Sequence, residues 1–215
     1  VKLATRDNGT PDGALVVVSR DLKRAVSAAL VASTLQDALE RWRDVEAPLR
    51  QLAADLERGV RGGSFPFAPA EMRAPMPRAW QWLDGSTFRS HAELIEKAYG
   101  VAPMPTDRPL MYQGLSHRFL GPAEDAVFPD QDDGIDFEGE FGVVVDETPM
   151  GVDAEAALGH IKLIVQINDW SLRVAGEREM KTGFGWIQGK PACAMAPVAV
   201  TPDELGGAWA EGRVG

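Results

Sequence analysis

An α+β fold, mostly β, with a small α/β region at its N-terminus is what this sequence predicts, on three observations. Two short apolar strands separated by turn residues open the chain, two amphipathic helical stretches follow, and two longer strand-like runs, Asp136 to Val145 and Ile161 to Asn168, lie in the second half. The 215 residues suffice for one large domain, or for a main domain with a small companion. The expected division sets a region over 1–77 ahead of a main domain over 78–215.

Residues 2–6 and 14–18 read as the two opening strands, joined through Asn8-Gly9 and Asp12-Gly13. The linker is longer than a two-residue hairpin loop. Thr34 with Asp37 resembles a helix N-cap followed by an acidic first turn, and Leu35, Ala38, Leu39 and Trp42 recur at helical spacing. Pro48 is expected in the first turn of a second helix whose stripe is Leu49, Leu52, Ala53 and Leu56, closed by Gly59. Residues 61–77, rich in Gly, Pro and Ala, read as an irregular connector. Ser90 to Glu93 resembles a capping box opening a helix through Ala98, on which Glu93 and Lys97 are spaced to pair. Loops and short strands are expected from Met111 to Asp133. Asp153 caps a short helix over Ala154 to Leu158, and Ile161 to Asn168 forms a buried strand that delivers Asp169.

A formal charge of -10 opposes a nucleic-acid partner, because phosphate backbones call for a basic footprint. The apolar runs are too short to span a bilayer, and no signal-peptide pattern opens the chain. A single cysteine, Cys193, excludes an internal disulfide and fits a reducing compartment. The expectation is a cytoplasmic protein with no membrane and no nucleic-acid partner. Val1 is not methionine, so the N-terminus is not expected to be a native translation start.

Chemistry concentrates on acids. Glu138 and Glu140 stand two apart, so a strand places both carboxylates on one face, with Phe137, Phe141 and Val143 on the other. With Asp169 and Asp84 they would make an all-oxygen cage suited to Mg²⁺ or a similar hard cation. The same alternation equally suits the solvent face of an amphipathic strand. Trp80, Trp82, Trp170 and Trp186 read as packing aromatics, Cys193 as an inert buried thiol, and His117 and His160 lack partners at zinc-ligand spacing.

Gly-Ile-Asp-Phe-Glu-Gly-Glu at 134–140, Asn-Asp-Trp-Ser-Leu-Arg at 168–173, Asp84 with His91 seven residues on, and Gly189-Lys190-Pro191 with Pro197 beyond it stand in order along the chain. Through these, and Tyr112 in Met-Tyr-Gln-Gly at 111–114, the chain resembles the fumarylacetoacetate hydrolase family, especially its bacterial members. The resemblance implies a mixed, rolled β-sheet behind a small N-terminal region. It implies metal ligands Asp84, Glu138, Glu140 and Asp169 for Mg²⁺, with Mn²⁺ or Ca²⁺ accepted by the same donors. It casts His91 as general base, Lys190 and Arg173 as donors to charge developing on substrate oxygens, and Tyr112 as a substrate contact. The implied reaction is hydrolysis of a carbon–carbon bond in a β-diketo acid, an acylpyruvate or a fumarylacetoacetate-like compound, through an enolate. Alternatives within the family are a metal-dependent 2-oxo acid decarboxylase or isomerase, or a catalytically silent binding or scaffold member. A homodimer is the implied assembly.

The chain also departs from the family pattern. The resemblance implies roughly another hundred residues of sheet strands and a Gly-rich segment beyond Gly215, within the normal domain range. A sheet without them should show an apolar face and an open edge. Leu94 stands where acylpyruvase relatives carry the glutamate that orients the base, leaving Glu93 as a substitute. Val174 to Arg178 lacks the substrate-binding glutamine and tyrosine of the fumarylacetoacetate enzymes. The last of these departures favours an acylpyruvate-like or other 2-oxo acid over fumarylacetoacetate itself.

Overall fold

The computed structural model describes residues 1–60, 62–86, 88–100, 110–210 and 212–214; the side chains of 89, 91, 95, 98 and 99 lie outside that description. Strands β1 (Lys2–Arg6) and β2 (Ala14–Val18) pair antiparallel with Leu3 opposite Val17, and β3 (Arg24–Ser27) adds to β2. Leu3, Leu15, Val17 and Val26 face one core, while Ala4, Val16, Val18 and Ala25 face a second with Met72. Both parities are buried, which is why β2 reads as an unbroken apolar run instead of an alternation.

Helix α1 (Leu35–Glu40) starts as expected, with Thr34 Oγ1 accepting from the Asp37 amide at 3.0 Å. Helix α2 (Trp42–Arg58) follows almost at once and encloses Pro48, which therefore sits well inside the helix and not in a first turn. An internal proline costs about 3 kcal/mol. Trp42, Val45, Leu49, Leu52 and Leu56 are all buried on the core-facing side, and side chains of that kind each return about 1.5–3 kcal/mol. The stripe outweighs the break, so the helix runs through to Gly59, whose φ of 68° suits a left-handed C-terminal cap.

The connector holds β4 (Phe65–Pro66) and one turn of 3₁₀ helix at Pro69–Glu71 and is otherwise irregular. Beyond it come β5 (Leu83–Ser86), α3 (Arg89–Tyr99) and β6 (Leu110–Gln113). Helix α3 opens earlier than the capping-box reading placed it. Phe88 is extended and its carbonyl accepts from the Ala92 amide at 3.1 Å, so Ser90 lies inside the first turn and is not the N-cap. Farther on, Asp153 Oδ1 accepts from the Ala156 amide at 2.8 Å and caps α4 (Ala154–Leu158).

The strand expected over Asp136 to Val145 is two strands, β7 (Ile135–Asp136) and β8 (Gly139–Val145). The Glu138 amide leaves the ladder to donate to Asn168 Oδ1 at 3.1 Å, and β7 turns away to pair with β10 (Ser171–Leu172). Strand β9 (Ile161–Asn168) pairs with β8 on one side and with β11 (Ala194–Met195) and β12 (Ala199–Val200) on the other. Helix α5 (Arg173–Met180) follows β10, and a small hairpin of β13 (Trp209–Ala210) and β14 (Arg213–Val214) closes the chain.

Among the described residues, eight strands form one sheet in the order β4-β3-β2-β1-β12-β9-β11, with β8 on the other side of β9. Because β1 pairs with β12, the sheet and its main core run without interruption from Leu3 and Leu49 to Leu163, Val165 and Ile167. This continuity fixes the far end of β9, where the acids gather. Gly142 lets β8 lie against β9: a Cβ there would come 2.3 Å from Ile167 Cδ1. Gly142→Ala is therefore expected to cost about 1–3 kcal/mol by overpacking, read from denaturant unfolding; an unchanged midpoint would show that Ile167 moves aside freely. The opposite face of β8 exposes Phe141, Val143 and Val145, and β8 has no second strand partner among the described residues.

Candidate metal centre

Register brings the acids together. Residues directly opposite in an antiparallel pair point the same way. Glu140 lies opposite Ile167, on the core-facing side of the sheet, and Asp169 continues the same row of β9 beyond Leu163, Val165 and Ile167. Asp169 is accordingly 0% exposed. On the neighbouring hairpin Asp84 lies opposite Tyr112, so both reach the same pocket from β5 and β6. One carboxylate oxygen from each of Asp84, Glu140 and Asp169 falls within 4.8 Å of the others. The acid of β8, Glu140, thus turns inward and Phe141, Val143 and Val145 outward, the reverse of an amphipathic strand with a solvated acidic face.

Glu138 takes a different neighbourhood. It sits in the break between β7 and β8, where its carboxylate accepts from Ser171 Oγ at 2.9 Å, from Lys190 and from Arg173. Arg173, at the start of α5, also pairs with Asp136 at 2.8 Å. Lys190 bridges Glu138 and Asp169, its ammonium 2.8 Å from Asp169 Oδ2. Tyr112 Oη donates to that same oxygen at 2.7 Å, and the Cys193 thiol to Oδ1 at 2.9 Å. His91 lies on α3, and its side chain is outside the described residues. The same holds for any role of Leu94 or Glu93 in orienting it.

The electrostatics divide these groups. Burial, then the charge of Asp169, raises the Asp84 carboxyl to about 6; burial, then Asp84 and Asp169, raises Glu140 to about 7. Burial also pushes Glu138 upward, but Lys190, Arg173 and Ser171 outweigh it and hold that carboxyl below its ordinary value. Lys190 is driven down by burial and more strongly up by Asp169 and Glu138, so it stays an ammonium. Burial and Asp169 raise the Tyr112 hydroxyl and the Cys193 thiol, which keep their protons and serve as donors. Uncompensated negative charge therefore concentrates on Asp84 and Glu140 beside Asp169. An all-oxygen, half-buried donor set with surplus negative charge fits a hard divalent cation.

Asp84, Glu140 and Lys190 line a trough of about 2570 Å³ that also meets Trp82, Phe141 and Met195. Sites for small molecules commonly enclose about 300–1,000 Å³, so the centre occupies a fraction of that space. Ser171 and Asn168 were not singled out individually from the sequence, and Cys193, expected as an inert buried thiol, is buried but donates to Asp169. Ser171 and Asn168 lay inside the Asn168-to-Arg173 segment, whereas the approach of Cys193 to Asp169 follows from β11 pairing beside Asn168.

Glu138→Gln is expected to lower divalent-ion affinity less than loss of a triad carboxylate, because its oxygens serve Lys190 and Arg173. Calorimetric titration with Mn²⁺ tests this, and a loss equal to that of Glu140→Gln would place Glu138 among the ligands.

The site is a carboxylate cluster at the end of a core strand that could hold a hard cation, with the Lys190 ammonium between Glu138 and Asp169. Residues 81–214 match the profile described as fumarylacetoacetate (FAA) hydrolase C-terminal, and residues 1–78 that of fumarylacetoacetase N-terminal domain 2. The chain belongs to the fumarylacetoacetate hydrolase family. It is 35% identical over 179 residues to the 2,4-didehydro-3-deoxy-L-rhamnonate hydrolase of Sphingomonas sp. strain SKA58, covering 79% of this chain and 60% of that protein. It is 26% identical over 111 residues to the human mitochondrial oxaloacetate tautomerase FAHD2A, covering 48% of this chain and 33% of that one. Among solved structures, maleylpyruvate hydrolase from Sphingobium sp. SYK-6, in complex with manganese(II) and pyruvate, superposes with a TM-score of 0.60 at 18% identity, over 94% of this chain and 68% of that one. The chain thus spans less than two thirds of the curated relatives' lengths. Family members include hydrolases, isomerases and tautomerases. Among the described residues no helix is long and apolar enough to cross a membrane.

Proposed function

We propose that the chain carries the metal-dependent centre of an enzyme that hydrolyses a carbon–carbon bond in a β-diketo acid, an acylpyruvate or a related 2-oxo acid. The observation that carries the reading is the convergence of Asp84, Glu140 and Asp169 within 4.8 Å, with the Lys190 ammonium 2.8 Å from Asp169. These three acids, with Glu138 beside them, would hold Mg²⁺, Mn²⁺ or Ca²⁺. Such an ion, when bound, supplies Lewis-acid stabilisation of the negative charge that develops on dicarbonyl oxygens. Lys190, fixed between Glu138 and Asp169, presents a preorganised donor to that charge. Arg173 braces Glu138 from the other side, and Tyr112, donating to Asp169, borders the substrate space with Trp186 packed edge-on at 5.0 Å.

His91 is the proposed general base for water, suited by an ordinary imidazole value of about 6.5. Removing it in His91→Ala is expected to leave Mn²⁺ affinity intact and cut turnover by about 10²–10⁴-fold; unchanged turnover would take the role from His91. The deciding assay follows loss of the acetylpyruvate chromophore with Mg²⁺ or Mn²⁺ against a chelated control. Metal-dependent formation of acetate and pyruvate supports hydrolysis. A second reading, keto–enol tautomerisation or decarboxylation of a 2-oxo acid, is favoured by the likeness to the oxaloacetate tautomerase. Oxaloacetate with enol-to-keto conversion or CO₂ release, and no cleavage of acetylpyruvate, would replace the first reading with the second.

A further inference from the structure

The loop that delivers Lys190 is held by a carboxylate to which no role has yet been given. Glu179, in the last turn of α5, accepts hydrogen bonds from three successive backbone amides: Ile187 at 3.1 Å to both oxygens, Gln188 at 2.9 Å and Gly189 at 2.8 Å. Those bonds hold its carboxyl below the ordinary range although burial opposes them. Charge-assisted bonds of this kind are roughly twice as strong as neutral ones. The loop lies so close to the helix that a Cβ at Gly189 would stand 2.6 Å from Gly176 Cα, and the Gly189 carbonyl accepts from the Leu172 amide at 2.9 Å. Trp186 at one end of the gripped segment packs against Tyr112, and Lys190 at the other reaches Glu138 and Asp169.

We propose that Glu179 is a positioning residue, whose grip on the 187–189 amides sets the Lys190 ammonium in the acidic pocket and thereby the site's hold on a 2-oxo acid. The geometry of the grip stands by itself; its consequence for the 2-oxo acid rests on the function proposed above. Two features separate this role from general bracing. The bonds run to consecutive amides immediately before Lys190, and Glu179 itself contacts none of Asp84, Glu138, Glu140 or Asp169 in any bond described. Loss of Glu179 should therefore disturb Lys190 without removing any of the cation's ligands.

The test uses the whole chain in wild-type, Glu179→Ala and Glu179→Gln forms. Amide hydrogen exchange at 187–189 is expected to accelerate about tenfold or more in Glu179→Ala, and less in Glu179→Gln, which keeps one acceptor oxygen. With Mn²⁺ saturating, calorimetric affinity for pyruvate, the probe for a 2-oxo acid, is expected to fall about tenfold in Glu179→Ala and in Lys190→Met, and no further in the double variant. Mn²⁺ affinity should fall less in Glu179→Ala than in Asp169→Asn, since no ligand is lost. Unchanged exchange would overturn the grip. Accelerated exchange with fully additive losses in the double variant would overturn its action through Lys190. A wild-type chain that binds Mn²⁺ but not pyruvate would count against the substrate reading alone, and the exchange rates would still decide the grip.

Discussion

Asp169→Asn is expected to reduce Mn²⁺ or Mg²⁺ affinity by about a hundredfold or more and to destabilise the chain even without metal. Asp169 is fully buried and receives donors on both oxygens, Lys190 and Tyr112 on Oδ2 and Cys193 on Oδ1. An asparagine offers one acceptor oxygen and one NH₂ group, so it can accept from Lys190 and Tyr112 or from Cys193 but not from all three. Leaving a buried donor unsatisfied costs about 1–3 kcal/mol, and more where it is charged. Relief of repulsion with Asp84 and Glu140 opposes this loss. Lys190 keeps Glu138 as a partner, which limits it further. The expected balance is a loss of about 2 kcal/mol, measured by denaturant unfolding at pH 6 in chelator. Micromolar metal affinity retained in Asp169→Asn would remove this residue from the centre.

The second large effect is on pH. Asp84 near 6 and Glu140 near 7 are both raised, so near pH 5 the folded site holds protons that a cation must displace. Divalent-ion affinity should rise steeply from pH 5 to 7, by up to about two tenfold steps per unit below pH 6, and level off above. Stability of the metal-free chain should move the other way. Between the ordinary carboxylate range and about pH 7, the folded state binds more protons than the unfolded, so stability falls as pH rises through that window. Glu140→Gln removes part of that proton uptake. Its chelated form should gain thermal stability relative to wild type at pH 8 more than at pH 5. Parallel wild-type and variant midpoints across that range would show that Glu140 carries no such strain, and a pH-independent Mn²⁺ affinity would show the same for the pair.

The local pattern already carried much of this molecule. The apolar runs of β1, β2 and β9 lie where their composition placed them, and Thr34 and Asp153 cap the helices they precede, because a hydroxyl or carboxylate three residues ahead of an amide needs no distant partner to act. The spacing of Glu138, Glu140 and Asp169, read with Asp84, pointed to a hard-cation centre because strand parity and charge are both written in the chain. Pro48 and Ser90 went astray where tertiary contacts overrode a local rule: a buried stripe carried α2 through its proline, and an extended Phe88 started α3 before its serine.

Three matters were settled only in the folded chain. Glu138 and Glu140 share a parity but not a neighbourhood, because the break between β7 and β8 turns one toward Lys190 and Arg173 and leaves the other with Asp84 and Asp169. Cys193 became a donor to Asp169 through the β9–β11 register, which joins residues 24 apart. Glu179 came to grip the segment ahead of Lys190 because α5 packs its glycine against another glycine. Residue type and spacing determine which side chains are able to do chemistry here. Which of them meet, and at what charge, depends on long-range pairing and burial, since a carboxylate's partner and its desolvation are properties of the packed interior and not of its neighbours in sequence.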